Sequence, residues 1–213
     1  MVPPPPPPAD FTLEPSLSAY NVLIHDYLYS LNETSATPKL QGLATGAVIF
    51  STHHPADQPD RVLLVQRAPH DSMPNRWEVP GGAVDENETV FGGLAREVWE
   101  ESGLEVRRFV ACVTSNGHGT GEGRRGAGDV FRTTRGRFIF KLTFVVEVRD
   151  SSAVKLDPDE HQDYVWATEE ECRAKVVERS KEGKGPTTLV FTTSAQEESI
   201  MRAFEIRRRD RGQ

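Results

Sequence analysis

Apolar residues recur at spacings of three and four between Ser16 and Leu31. Leu17, Tyr20, Ile24, Tyr27, Leu28 and Leu31 then share one face, which predicts an amphipathic helix packed on a domain, with a homodimer contact as the second role for that face. Residues 32–43, containing Pro38 and Gly42, read as a linker. Residues 44–50, 61–66 and 109–113 read as strands, and a strand also precedes the glycine turn after Trp77. Phe138, Phe140, Leu142, Phe144, Val146 and Val148 alternate with other residues, the period of a strand with one buried face. Short strands are expected at 164–167 and 189–191. Thr168 with Glu171, and Ser194 with Glu197, have capping-box spacing, which predicts helices near 169–182 and 195–209. Strands alternating with helices point to an α/β or α+β sandwich.

Three parts follow: a proline-rich, disordered tail over 1–15, a helix with its linker over 16–43, and one domain over 44–209. The six prolines Pro3 to Pro8 cannot donate backbone hydrogen bonds and favour an extended polyproline II tail. A proline-recognising partner is the lesser reading, since no basic flank accompanies the run. Residues 115–136 are glycine-rich and contain a formal G-x-G-x-x-G at Gly121, Gly123 and Gly126. No helical pattern follows it, so a surface loop is the better reading, with His118, Arg124 and Arg125 as phosphate contacts or solvated residues.

Charge changes the picture. The 213 residues carry a formal net charge of −7. That balance argues against stable nucleic-acid binding through a broad basic face. No apolar run approaches the ~18 residues of a membrane span. Two cysteines exclude a disulfide framework and a Cys-rich zinc site, and there is no Lys or Arg before Lys39, so neither a secretory signal nor a presequence fits. The expectation is a cytoplasmic protein. The arginines at 207–211 offer a nuclear address as a second reading; a cationic last helical turn is the simpler one.

The acids are concentrated. Residues 82–104 hold six acids and one base, which accounts for five of the seven net negative charges. On a helix, Phe91, Leu94, Ala95 and Val98 fall on one side, while Glu97, Glu100 and Glu101 lie within an arc of about 100° on the other. A solubilising helix pairs Glu with Lys or Arg four residues on, whereas Glu97 is followed by Glu101 and Glu101 by Glu105. A hard dication would relieve that repulsion, and magnesium favours carboxylate oxygens, water and phosphate. Glu88 and Arg96 are placed to form an ion pair that anchors the preceding loop. The glycine turn at Gly81 and Gly82 brings backbone carbonyls near the metal position.

Gly82, Glu88, Arg96, Glu97, Val98, Glu100, Glu101, Gly103 and Leu104 fit the pattern G-x5-E-x7-R-E-U-x-E-E-x-G-U at every specified position. Chance coincidence is on the order of 10⁻⁹ per starting point. On these residues the chain resembles the Nudix (MutT-type) hydrolase superfamily, with looser likeness from Ala44 to Ala174, including WEVPGG and EHQDYVW. The resemblance implies an α/β/α sandwich with a mixed sheet and a catalytic helix. It also implies metal-dependent hydrolysis of a nucleoside diphosphate linked to another group. It assigns Mg2+ or Mn2+ to Glu97, Glu100 and Glu101, with a backbone carbonyl at Gly81 or Gly82, and places Glu160 as an additional carboxylate. Arg96 would pair with Glu88 and orient the carboxylates.

Substrate choice lies outside this box. The tyrosine of the diadenosine polyphosphate branch, the proline of the ADP-ribose branch and the motif of the NADH branch are absent. Elimination leaves a nucleoside triphosphate or related nucleotide. Arg67 is a candidate phosphate contact and Trp77 a candidate base-stacking residue, each with a structural alternative. A non-hydrolytic nucleotide-binding module and a diphosphatase for prenyl diphosphates are the rival readings.

Overall fold

The computed structural model describes residues 10–34, 38–53, 57–114, 128–178 and 185–212. The polyproline run and residues 115–127 of the glycine-rich segment, with His118, Arg124 and Arg125, lie outside them. In chain order the elements are β1 (Thr12–Leu13), a 3₁₀ turn (Pro15–Tyr20), α1 (Ile24–Thr34), β2 (Gly42–Ile49), β3 (Arg61–Arg67), β4 (Trp77–Glu78), α2 (Val90–Ser102) and β5 (Val106–Cys112). They continue with β6 (Asp129–Arg132), β7 (Phe138–Val148), β8 (His161–Thr168), α3 (Glu169–Ala174), β9 (Val176–Val177), β10 (Thr187–Thr188) and α4 (Ser194–Asp210).

A mixed five-stranded sheet runs β1-β5-β7-β2, with β6 beside the first half of β7. β2 and β7 are parallel over the whole of β2, while β5 is antiparallel to β7. A second sheet, β4-β3-β8, is antiparallel, and the Phe50–Val62 bridge links it to the end of β2.

Period-two alternation divides the core. Ala47 and Ile49 of β2, with Leu63 and Val65 of β3, join Tyr27 and Leu31 of α1 and Phe91, Leu94 and Val98 of α2. Their neighbours Val48, Phe50, Val62 and Leu64 join Ile200, Ala203 and Phe204 of α4. Strands that bury both faces between helices make the expected α/β/α sandwich. Phe91 packs on Phe109 and Phe144 at ring separations of 4.4 and 5.1 Å, which seats α2 against the sheet.

Three expected helices are revised. The single helix over 16–31 is divided into the 3₁₀ turn and α1. The intervening backbone pairs with the entry to α2 instead: Val90 N–H donates to Val22 C=O, and Ile24 N–H donates to Glu88 C=O. The helix expected over 169–182 stops at Ala174, because Lys175 adopts the left-handed conformation at φ 57°. Its capping box of Thr168 and Glu171 is present as predicted. α4 starts one residue early, with Thr193 rather than Ser194 as its cap, accepting from Gln196 N–H. No helix among the described residues is long and apolar enough to cross a membrane.

Candidate metal centre

α2 is fixed at both ends by local chemistry. The Thr89 hydroxyl accepts from Gly92 N–H at its start. Gly103, at φ 67°, ends it in the left-handed conformation with its N–H on Trp99 C=O. The register between these caps carries Arg96, Glu97, Glu100 and Glu101 out of one side of the helix.

Arg96 is the hub. Its guanidinium donates to both oxygens of Glu88 at 2.7 and 3.0 Å, to Glu97 at 2.9 Å, to Glu100 at 2.8 Å and to the Ala83 carbonyl at 2.9 Å. Glu88 also accepts from Asp85 N–H. The expected Glu88–Arg96 pair is therefore present, and it ties the loop to the helix. The hydrogen bond to Glu88 leads the effects that raise Arg96 further above its ordinary value, so it remains a fixed cation. Burial pushes Glu88 up, but Arg96 and the Asp85 amide outweigh it and hold the carboxyl below its ordinary value.

The glycine turn meets this face closely. Gly81 N–H donates to Glu101 Oε2 at 2.6 Å. A Cβ on Gly82 would stand 2.6 Å from Glu97 Oε2, and one on Gly81, at φ 140°, would stand 2.5 Å from the Thr45 carbonyl. Gly81 therefore requires glycine, whereas a side chain at Gly82 would displace the Glu97 carboxylate. The Gly82 carbonyl accepts the Thr45 N–H at 2.8 Å.

Burial tunes the carboxyls. Glu97 is raised to about 7, chiefly by desolvation, with Arg96 pulling against it and Glu100 and Glu160 adding to it. Glu101 is buried and raised well above its ordinary value by desolvation, with Gly81 N–H opposing and Glu78, Glu97 and Glu160 reinforcing. Two hard-oxygen donors held next to further acids suit a dication, which would favour their charged forms. Glu160, from the loop entering β8, joins the group: ligand atoms of Glu101, Glu160 and His161 all lie within 4.8 Å of one another.

The two expected substrate contacts are both engaged within the protein. Trp77 is 1% exposed in the core beside Val79 and Leu189, so it offers no face to a base. Arg67 is engaged by Glu78 and Asp71 and also donates to Ser72. Its charge is paired with these two carboxylates within the protein.

Sequence reasoning missed Glu78 and His161. Burial raises Glu78, but His161, Lys141 and Arg67 together bring it below its ordinary value. His161 is 2% exposed, with Nε2 3.5 Å from Glu78. A signal for His161 was present: in β8 it shares parity with Val165 and Ala167, both buried. A groove of about 810 Å3 lies elsewhere, between β5, β7 and the end of α4, and contains none of these carboxylates. The arginines lining it are paired with acids, as in Arg108–Glu14, Arg107–Glu147 and Arg207–Asp60.

Comparison with known proteins agrees with this geometry. A family model described as NUDIX domain matches residues 40–185. A "MutT-like protein" of Streptomyces ambofaciens is 35% identical over 80 residues, covering 37% of this chain and 46% of that protein. A "Putative 8-oxo-dGTP diphosphatase 2" of Mycobacterium tuberculosis is 51% identical over 45 residues, covering 21% of this chain and 32% of that protein. The chain thus spans less than half the length of these two relatives. The crystal structure of the MutT protein of Methanosarcina mazei Go1 superposes with a TM-score of 0.52 at 21% identity, covering 81% of this chain and 98% of that one. At that identity the likeness concerns the fold.

Proposed function

The chain belongs to the Nudix family, and from that premise we propose that it hydrolyses a diphosphate linkage in a nucleotide in a divalent-metal-dependent reaction. A nucleoside triphosphate is the substrate class favoured, in keeping with the 8-oxo-dGTP diphosphatase name of one relative. The observation that carries this reading is Glu101 buried on the Gly81 amide beside Glu97, which itself lies against Gly82.

Glu97, Glu100 and Glu101 on α2, with Glu160 and a backbone carbonyl at Gly81 or Gly82, would hold Mg2+ or Mn2+. When bound, such an ion neutralises charge on the diphosphate oxygens and lowers the pKa of a coordinated water. The remaining work falls to the chain. Arg96 and Glu88 hold the carboxylates in register and act as positioning residues. A glutamate accepts the proton of the attacking water as its oxygen bonds to phosphorus and the P–O bond to the leaving phosphate breaks. In the metal-free chain burial favours the protonated forms of Glu97 and Glu101, and a bound cation would oppose that. All four glutamates of the box are retained, which supports hydrolysis over a module that only binds nucleotide.

The test is a panel of nucleoside di- and triphosphates, dinucleotides and prenyl diphosphates, assayed with Mg2+ and with Mn2+. Pyrophosphate or phosphate release from a nucleotide is expected. Glu101→Gln should reduce the rate by at least about 100-fold, comparable to removal of one transition-state charge contact. Full activity of that variant on every compound would refute the mechanism.

A further inference from the structure

The carboxylate face is an all-oxygen arrangement except at one corner. There His161 brings a ring nitrogen within 4.8 Å of carboxylate oxygens of both Glu101 and Glu160. The imidazole is 98% buried, and neither nitrogen has a hydrogen-bond partner among the described residues. Glu78 Oε1 lies 3.5 Å from Nε2, an ion-pair distance at the outer limit of a hydrogen bond. A buried polar ring without a hydrogen bond of good geometry is disfavoured, so a histidine placed beside two acids calls for a ligand.

We propose that His161, Glu101 and Glu160 form a mixed nitrogen–oxygen site for a first-row transition-metal dication, distinct in ligand chemistry from an all-carboxylate magnesium site. This rests on the metal-dependent reading above and adds a ligand to it. Three features fit. First, two ligands of one ion at about 2.1 Å lie at most about 4.2 Å apart, so closing the 4.8 Å limit needs a shift of about half an ångström. Glu160 is exposed and free to supply that movement, while Glu101 and His161 are held in the core. Second, metal-bound imidazole characteristically has an outer carboxylate to orient the ring, and Glu78, 3.5 Å from Nε2, would take that place with Nδ1 as the ligand. Third, Glu78 is itself anchored by Arg67, which pairs with β8 directly opposite His161. In this arrangement Arg67 holds Glu78 beside the ring. Imidazole suits zinc, iron, nickel and copper, whereas magnesium prefers oxygen, so His161 biases the site toward a transition metal.

Pulsed electron paramagnetic resonance of the full chain loaded with one equivalent of Mn2+ tests this. Nitrogen modulation typical of coordinated imidazole is expected, and it should change on labelling the histidines with 15N. It should persist when the other five histidines are replaced by Gln, and disappear in His161→Gln. In that variant Mn2+ affinity should fall about tenfold or more while Mg2+ affinity changes by less than about twofold. If His161→Gln does not fold, the five-histidine variant still decides the assignment. Bound Mn2+ without imidazole modulation overturns the His161 site and leaves the carboxylate reading standing. Failure to bind either Mn2+ or Mg2+ overturns both.

Discussion

Glu97 links burial to both stability and cation uptake. Its carboxyl is raised from the ordinary 4.5 to about 7, mainly by desolvation. Between those values the folded chain holds a proton that the unfolded chain has released. The metal-free protein is therefore expected to lose stability as pH rises through that window, because the folded state binds the extra proton. Glu101, raised in the same direction, extends the effect upward. Cation binding must expel that proton, so apparent Mg2+ or Mn2+ affinity should fall by up to about tenfold per pH unit below about 7. Thermal melts in chelator and calorimetric metal titrations at pH 5.5, 6.5 and 7.5 check the two halves separately. A pH-independent affinity would remove Glu97 from the cation site.

α2 is the element on which everything else is registered. Its apolar side, with Phe91, Leu94 and Val98, is fully buried, so rotating the helix to relieve acid–acid repulsion would expose about 1.5–3 kcal/mol per side chain. Packing therefore wins over repulsion, and Arg96 offsets part of what remains. The cap at Thr89 sets where the helix begins, one residue after Glu88. Thr89→Ala should cost about 1 kcal/mol of stability, read as a lower midpoint in denaturant with an unchanged slope. Because the apolar side still seats the helix, cation affinity should stay within about threefold; a larger loss would mean that the cap also positions the carboxylates.

At the scale of the molecule, the segment before β2 belongs to the same core as the matched domain. The family match begins at residue 40, yet Leu17, Ile24, Tyr27 and Leu31 are buried against it. Tyr20 packs on Phe144 of β7, and β1 extends the sheet beyond β5. Four such side chains contribute about 6–12 kcal/mol by burial, comparable to the whole net stability of about 5–15 kcal/mol. Removing residues 1–34 should therefore abolish cooperative unfolding, monitored by circular dichroism, although every box residue remains. A truncated chain that melts within about 5 °C of the full one would show the segment to be peripheral.

The sequence by itself determined the elements whose information is local: the alternation of β7, the Thr168 capping box, and the Glu88–Arg96 pair anchoring an acidic helix. Periodicity, capping and charge spacing are properties of neighbours along the chain, so they can be read before folding. Tertiary structure alone decided how that local order was interrupted and completed. Pairing of Val22 and Ile24 with the entry to α2 broke a helix whose periodicity was unbroken. Arg67 and Trp77 looked available until folding gave one to Glu78 and Asp71 and buried the other. His161 acquired its meaning in the same way, since burial and approach to Glu101, sixty positions earlier, depend on how β8 lies against β3 and α2. Long-range contacts fix solvent exposure and charge neighbours, and those two quantities determine which polar side chains remain free for chemistry.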